Sequence, residues 1–248
     1  MDSTQPLHLD AARLPEGQAA WTAALVSRIF DVLGTVSREE RIVYTQLWKL
    51  MAIFNAPITT NHFADLKYPQ ERIKQALADL DEAGLLWFDE DLRAVLRCPP
   101  FSVLHTPHLV KVFGWERTYA ASLIEAPVTL LVYGPNVWLH VQTTCARSGE
   151  TLKFRVMARD DDTLRFDAPP EAEQWVVWLP LPENPLDGDV YGWLYESRLR
   201  IGAFYTQEDL DTQRYYDGGP PGVVYTLEQA MYLSECLLFG YRRALDLK

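Results

Sequence analysis

Cysteines are few in this sequence, and long apolar runs are missing. The three cysteines, Cys98, Cys145 and Cys236, are widely spaced in 248 residues and form no CxxC pair, which excludes a disulfide framework. We expect each to be a small, buried, reduced side chain. No apolar stretch approaches the roughly 18 residues of a membrane helix. The acidic, polar start also lacks the basic and apolar regions of a signal peptide, so we predict a cytoplasmic protein with no membrane partner.

Positive charge is scarce as well. The chain has 23 Lys and Arg residues against 34 Asp and Glu residues, a formal net charge of −11. Because phosphate binding requires clustered Lys and Arg, this balance disfavours nucleic acid and anionic membrane surfaces as partners. With 48% hydrophobic residues, the chain is long enough for one large domain or two small ones with a substantial core.

The first part of the chain shows helical periodicity followed by a strand pair. After an arm over residues 1–16, apolar spacing predicts helices over 17–34, 38–54 and 61–66. Pro69 then opens a helix that ends before Gly84, and two short strands follow. This order predicts a winged-helix-like domain over residues 17–97. Its mixed-charge helix face favours a structural module over a DNA-binding one.

The Pro-rich stretch 98–117 is predicted to be a linker. It contains His105 and His108, whose i, i+3 spacing on a helix could share a metal ion. Pro107 lies between them and argues against a helix, so we do not expect a metal site there.

Residues 118–248 are predicted to form a β core with a C-terminal helix. Apolar or alternating stretches predict strands over 128–133, 137–143, 151–158, 174–181 and 223–225. A short helix is predicted over 207–213, and Thr226 is a suitable N-cap for a last helix over 227–245. The many tyrosines and tryptophans of this half fit either a sheet core or an aromatic-lined pocket.

Several landmarks of this half resemble the organomercurial (alkylmercury) lyase family. They are Trp115 to Glu125, Thr144 to Gly149, Val177 to Pro180 and Thr206 to Asp209, and the resemblance extends from about Arg41 to Arg243. It implies an α+β fold: a winged-helix-like helical module followed by an antiparallel β core with a C-terminal helix.

The resemblance also implies a chemistry, but this chain differs at the residues that carry it. In the family, two cysteine thiolates hold mercury and a carboxylate moves a proton to the carbon leaving group. Here the first cysteine position holds Ser122, and the carboxylate is Glu125. The stretch expected to supply the second cysteine, Trp193 to Arg200, has none, and Cys145 matches a hairpin cysteine outside the family's site. Because a hydroxyl cannot replace a thiolate for mercury, we do not expect organomercurial lyase activity.

Two hypotheses from different classes follow. The first is a metal-free, cofactor-free, lyase-like enzyme on a small organic substrate, with Glu125 as general acid or base and Ser122 as its hydrogen-bonding anchor. Substrate contacts are assigned to Trp193, Tyr195, Arg198 and Arg200, where an arginine could hold an anionic group. The structural alternatives are a capping box for Ser122 and Glu125 and an exposed strand face for the other four.

The second hypothesis is a non-catalytic ligand- or metal-binding accessory protein on the same scaffold. Its metal ligands would be His140, Glu125 or Asp209, because the soft ligand set is missing. A DNA-binding regulator is the weaker third choice, and a homodimer is left open. Glu125 separates the two main hypotheses, since only an enzyme requires its carboxyl for turnover.

Overall fold

The computed structural model describes residues 9–112, 117–161, 163–180, 201–219 and 221–247. Two antiparallel sheets and several helices make up these residues, so the predicted α+β class is confirmed. Trp193, Tyr195, Arg198 and Arg200 lie outside the described residues, and the predictions made for them are not tested.

Three helices open the fold where periodicity predicts them: α1 (Ala19–Thr35), α2 (Arg38–Phe54) and α3 (Gln70–Glu82). A capping box starts α2, because the Ser37 hydroxyl accepts from the backbone of Glu40 and the Glu40 carboxylate accepts from the backbone of Ser37. Between α2 and α3 lies a 3-10 helix, Thr60–Leu66. The apolar stripe of α3 is buried: Ile73, Ala76, Leu77 and Leu80.

An eight-stranded antiparallel sheet follows, in the order β1-β2-β3-β5-β4-β6-β7-β8. Its strands are β1 (Trp87–Asp89), β2 (Ala94–Cys98), β3 (Phe101–Ser102), β4 (Leu109–Val112), β5 (Thr118–Ala120), β6 (Leu139–Thr144), β7 (Thr151–Ala158) and β8 (Leu164–Asp167). The stretch predicted to be a linker contains β3 and β4, which join the strands on either side into one sheet. The division into domains, and the winged-helix-like label, stay predictions.

A second sheet has the order β10-β9-β11, with β9 (Val176–Pro180), β10 (Gly202–Phe204) and β11 (Gly222–Thr226). The two sheets meet where the backbone of Cys145 bridges to Ala203, and the amide of Ala146 donates to the carbonyl of Ala203 at 3.0 Å. The hairpin position of Cys145 is therefore a structural junction.

The remaining helices are α4 (Leu130–Tyr133), α5 (Gln207–Tyr216) and α6 (Leu227–Ala244). Thr226 caps α6 as predicted, in a capping box with Gln229. The predicted strand over 128–133 is wrong: a 3-10 turn, Pro127–Thr129, leads into α4, which ends at Gly134 with φ of 91°. Pro127 fixes a helical φ at the start, and the mostly apolar stretch from Val128 to Tyr133 cannot by itself distinguish a buried strand from a buried helix.

The three cysteines are free and buried, as predicted. Within the described part of the chain, no helix is long and apolar enough to cross a membrane.

Candidate active site

A buried serine and a buried glutamate form the centre of the candidate site. The Oγ of Ser122 donates a hydrogen bond of 2.9 Å to Oε2 of Glu125, and both side chains are 0% exposed. Ser122 is the N-cap of the 3-10 turn Leu123–Glu125, and Glu125 is its last residue. The turn begins three residues after the end of β5 and packs against α6. The protein thus holds a carboxyl group away from water with a hydroxyl donor fixed beside it.

The pair is not the capping box that its spacing suggests. Ser122 precedes the turn in extended conformation, but its side chain accepts no capping hydrogen bond. The amide of Glu125 instead donates to the backbone carbonyl of Ser122 at 3.2 Å, which leaves the hydroxyl for the carboxylate. Because the Ser122 side chain makes no capping hydrogen bond, the capping interpretation is wrong for this pair.

A buried histidine, His108, lies opposite Ala120, which is two residues before Ser122. The carbonyl of His108 accepts from the amide of Ala120 at 2.9 Å, which places His108 beside the end of β5 that leads to Ser122. Its Nδ1 lies 2.8 Å from Oγ1 of Thr143, and the ring also hydrogen-bonds to the backbone of Ile201. Burial lowers the pKa of His108 to about 4, so the imidazole is neutral near pH 7.

The sequence spacing suggests a role for His108 only as a metal ligand together with His105, and the structure places one in the core and the other at the surface. His105 is exposed, and its ring lies 4.6 Å from that of Tyr119. The alternation of apolar and polar residues along β4 is the better indication that His108 is buried. His108 is in phase with Val110 and Val112, which are both buried.

The proposed hard-metal ligands are not brought together. Glu125 is in the core, whereas His140 points to the exposed face of β6. Asp209 belongs to the capping box of α5, where its Oδ2 accepts from Oγ1 of Thr206 at 3.0 Å. Among the described residues no group of three His, Cys, Asp or Glu could hold a metal ion.

The described residues on either side of 181–200 lie close together, at the same end of the small sheet. β9 ends at Pro180 and β10 begins at Gly202, and the two strands pair antiparallel. Ile201, the first described residue after this stretch, contacts His108 as noted above. Ile201 therefore lies within reach of the buried polar residues that surround the end of β5.

Comparison with known proteins shows a similarity of fold. No family model and no curated protein matches this chain. A crystal structure of the mercury-bound form of MerB2 is similar over 87% of this chain and 98% of its own, with a TM-score of 0.62 and 15% sequence identity. MerB is an organomercurial lyase. The resemblance stated from the sequence is thus confirmed for the fold, and membership of the family stays a prediction.

Proposed function

We propose that this protein is a lyase-like enzyme for a small organic substrate, in which Glu125 transfers a proton to or from carbon. Ser122 holds the carboxyl group in position. The observation that carries this proposal is the 2.9 Å hydrogen bond between two side chains that are completely removed from solvent.

The chemistry depends on position and on exclusion of water. Carbon accepts and releases protons slowly, so an acid or base fixed against it lowers the barrier. A carboxyl group in the core does this without competition from bulk water. The hydroxyl of Ser122 donates to Oε2, which helps to orient the Glu125 side chain.

Mercury is disfavoured as the natural substrate. A solved structure with a similar fold is the mercury-bound form of its protein, and mercury requires soft thiolate ligands. In this chain the residue beside the carboxyl group is a serine, and all three thiols are buried. We therefore propose that the scaffold serves proton transfer on an organic molecule that contains no soft metal. Substrate binding by Trp193, Tyr195, Arg198 and Arg200 stays part of this proposal.

The proposal can be tested without knowledge of the substrate. The protein is incubated in D2O with a panel of small organic acids, ketones and halogenated compounds, and products are followed by NMR. An enzyme of this type incorporates deuterium at carbon, or cleaves a bond to carbon, in at least one compound. If no compound is altered, the enzyme hypothesis loses its support.

Native mass spectrometry separates the enzyme from the accessory-protein hypothesis. The native mass of the purified protein is compared with its denatured mass. Equal masses fit an enzyme that releases its product. A retained metal ion would contradict the metal-free proposal, and a retained organic molecule that is never altered would favour the binding protein.

A further inference from the structure

The outer face of the large sheet collects basic side chains. Five basic side chains form what we call the basic face, and all are exposed: Lys111 on β4, His140 on β6, Lys153 and Arg155 on β7, and Arg165 on β8. Lys111 is paired with His140, and His140 with Arg155, so these three follow one register row. Because neighbouring strands are about 4.8 Å apart, the row from β4 to β8 is roughly 14 Å wide.

Two of these side chains are held in place. The Nε and Nη2 atoms of Arg155 lie 2.7 and 2.6 Å from Oδ2 of Asp167. The guanidinium groups of Arg155 and Arg165 lie 4.6 and 5.6 Å from the centre of the Trp138 ring. Such contacts reduce the entropy that these side chains lose when a partner binds.

The charge of the basic face is mostly unmatched. Only Arg155 has a carboxylate partner, since Lys111, Lys153 and Arg165 form no ion pair with any residue in the described ranges. A groove of about 360 Å³ runs between the basic side chains of β6 and β7 and the segment 167–169. This excess of positive charge lies on a chain whose formal net charge is −11.

We propose that the basic face is a docking surface for an acidic segment, rich in Asp and Glu, of a partner protein. Charge complementarity supports this occupant, because carboxylates would neutralise the unmatched cations. Nucleic acid fits less well. The Trp138 ring already contacts two guanidinium groups and is not a free platform for bases. This inference does not depend on the function proposed for Glu125.

The test uses a fluorescent octaglutamate peptide and the full chain, with binding followed by fluorescence anisotropy. The first variant is Lys153→Glu with Arg165→Glu. Its charge-matched control is Arg72→Glu with Lys74→Glu on α3, where both cations are exposed and have carboxylate partners, Glu39 and Glu71. Melting curves verify that both variants fold, and Lys153→Gln with Arg165→Gln replaces the first variant if it does not.

We expect the charge reversal on the basic face to weaken peptide binding at least roughly tenfold and the control on α3 to change it less than about twofold. Neutralisation with glutamine should give a smaller loss in the same direction. Binding by the wild type should also weaken between about 50 and about 200 mM salt.

Three results would overturn the proposal. One is no binding of the peptide to the wild type at low salt. The second is an equal loss in the basic-face variant and the control, which would show an effect of net charge alone. The third is tighter, face-dependent binding of an oligothymidylate, which would make nucleic acid the occupant.

Discussion

The hydroxyl of Ser122 donates a hydrogen bond of 2.9 Å to Oε2 of Glu125 in the core of the protein, from the N-cap to the last residue of one 3-10 turn. Both side chains are completely removed from solvent. A carboxyl group with a hydroxyl donor beside it, and no thiol in the pair, is the physical basis for proposing proton transfer without mercury.

Removal of the Ser122 hydroxyl should destabilise the fold. Ser122→Ala deprives a buried carboxyl oxygen of its donor, and such a loss costs about 1–3 kcal/mol of unfolding free energy. Urea denaturation measures the change. The control is Ser148→Ala, because Ser148 is exposed and its Oγ lies 3.4 Å from Oε2 of Glu150. Equal effects of the two substitutions would show that the buried hydrogen bond does not exist in solution.

His108 should make the stability depend on pH. Burial lowers its pKa from 6.5 to about 4, so the unfolded chain binds a proton at higher pH than the folded chain. The contribution to unfolding free energy is fully present above pH 6.5 and is lost as pH falls toward 4, by about 3 kcal/mol. We expect His108→Gln to have a weaker decline in stability than the wild type over this range.

His105→Gln is the control for the histidine experiment, since His105 is exposed. Its decline in stability between pH 7 and pH 4 should follow that of the wild type in urea titrations at each pH. If His108→Gln declined as steeply as the wild type, the imidazole would not be buried in its neutral form.

Two glycine substitutions should change stability in opposite directions. A Cβ at Gly222 would lie 2.0 Å from Nε1 of Trp178 and 2.9 Å from the carbonyl oxygen of Leu179, so Gly222→Ala should cost about 1–3 kcal/mol. Gly34, on α1, has nothing within 4 Å of such an atom, and Gly34→Ala should gain about 0.5–1 kcal/mol from helix propensity. Thermal unfolding of both variants measures the difference. A tolerated alanine at Gly222 would contradict the close approach of β11 to β9.

The thiols should not support mercury chemistry. Cys98, Cys145 and Cys236 are all buried, and burial raises the pKa of Cys236 to about 12. With phenylmercuric acetate as the probe, we expect no more benzene from the protein than from buffer, as measured by gas chromatography. Benzene release that is abolished by one Cys→Ser substitution would show that a thiolate site exists.

Local signals in the sequence predict much of the fold. The N-cap residue Thr226 and the alternation of β7 predict elements that the structure has at the same places, because caps and period-two patterns act over a few residues. The helical 127–133 segment could not be recognised, since its apolar residues suit both a strand and a buried helix. The hydrogen-bond partner of the Ser122 hydroxyl could not be predicted from the sequence either, because the same Ser-x-x-Glu spacing occurs in a capping box and in a buried pair.

The measurement that tests the central claim most directly is turnover by Glu125→Gln on whichever compound the wild type alters. Glutamine has the same shape as glutamate but cannot exchange the proton. Glu150→Gln, on the exposed turn between β6 and β7, is the control. Our account predicts a folded Glu125→Gln protein whose turnover is lower by roughly a hundredfold or more, with the control unchanged. A folded Glu125→Gln protein that turns over the same compound at the wild-type rate would contradict it.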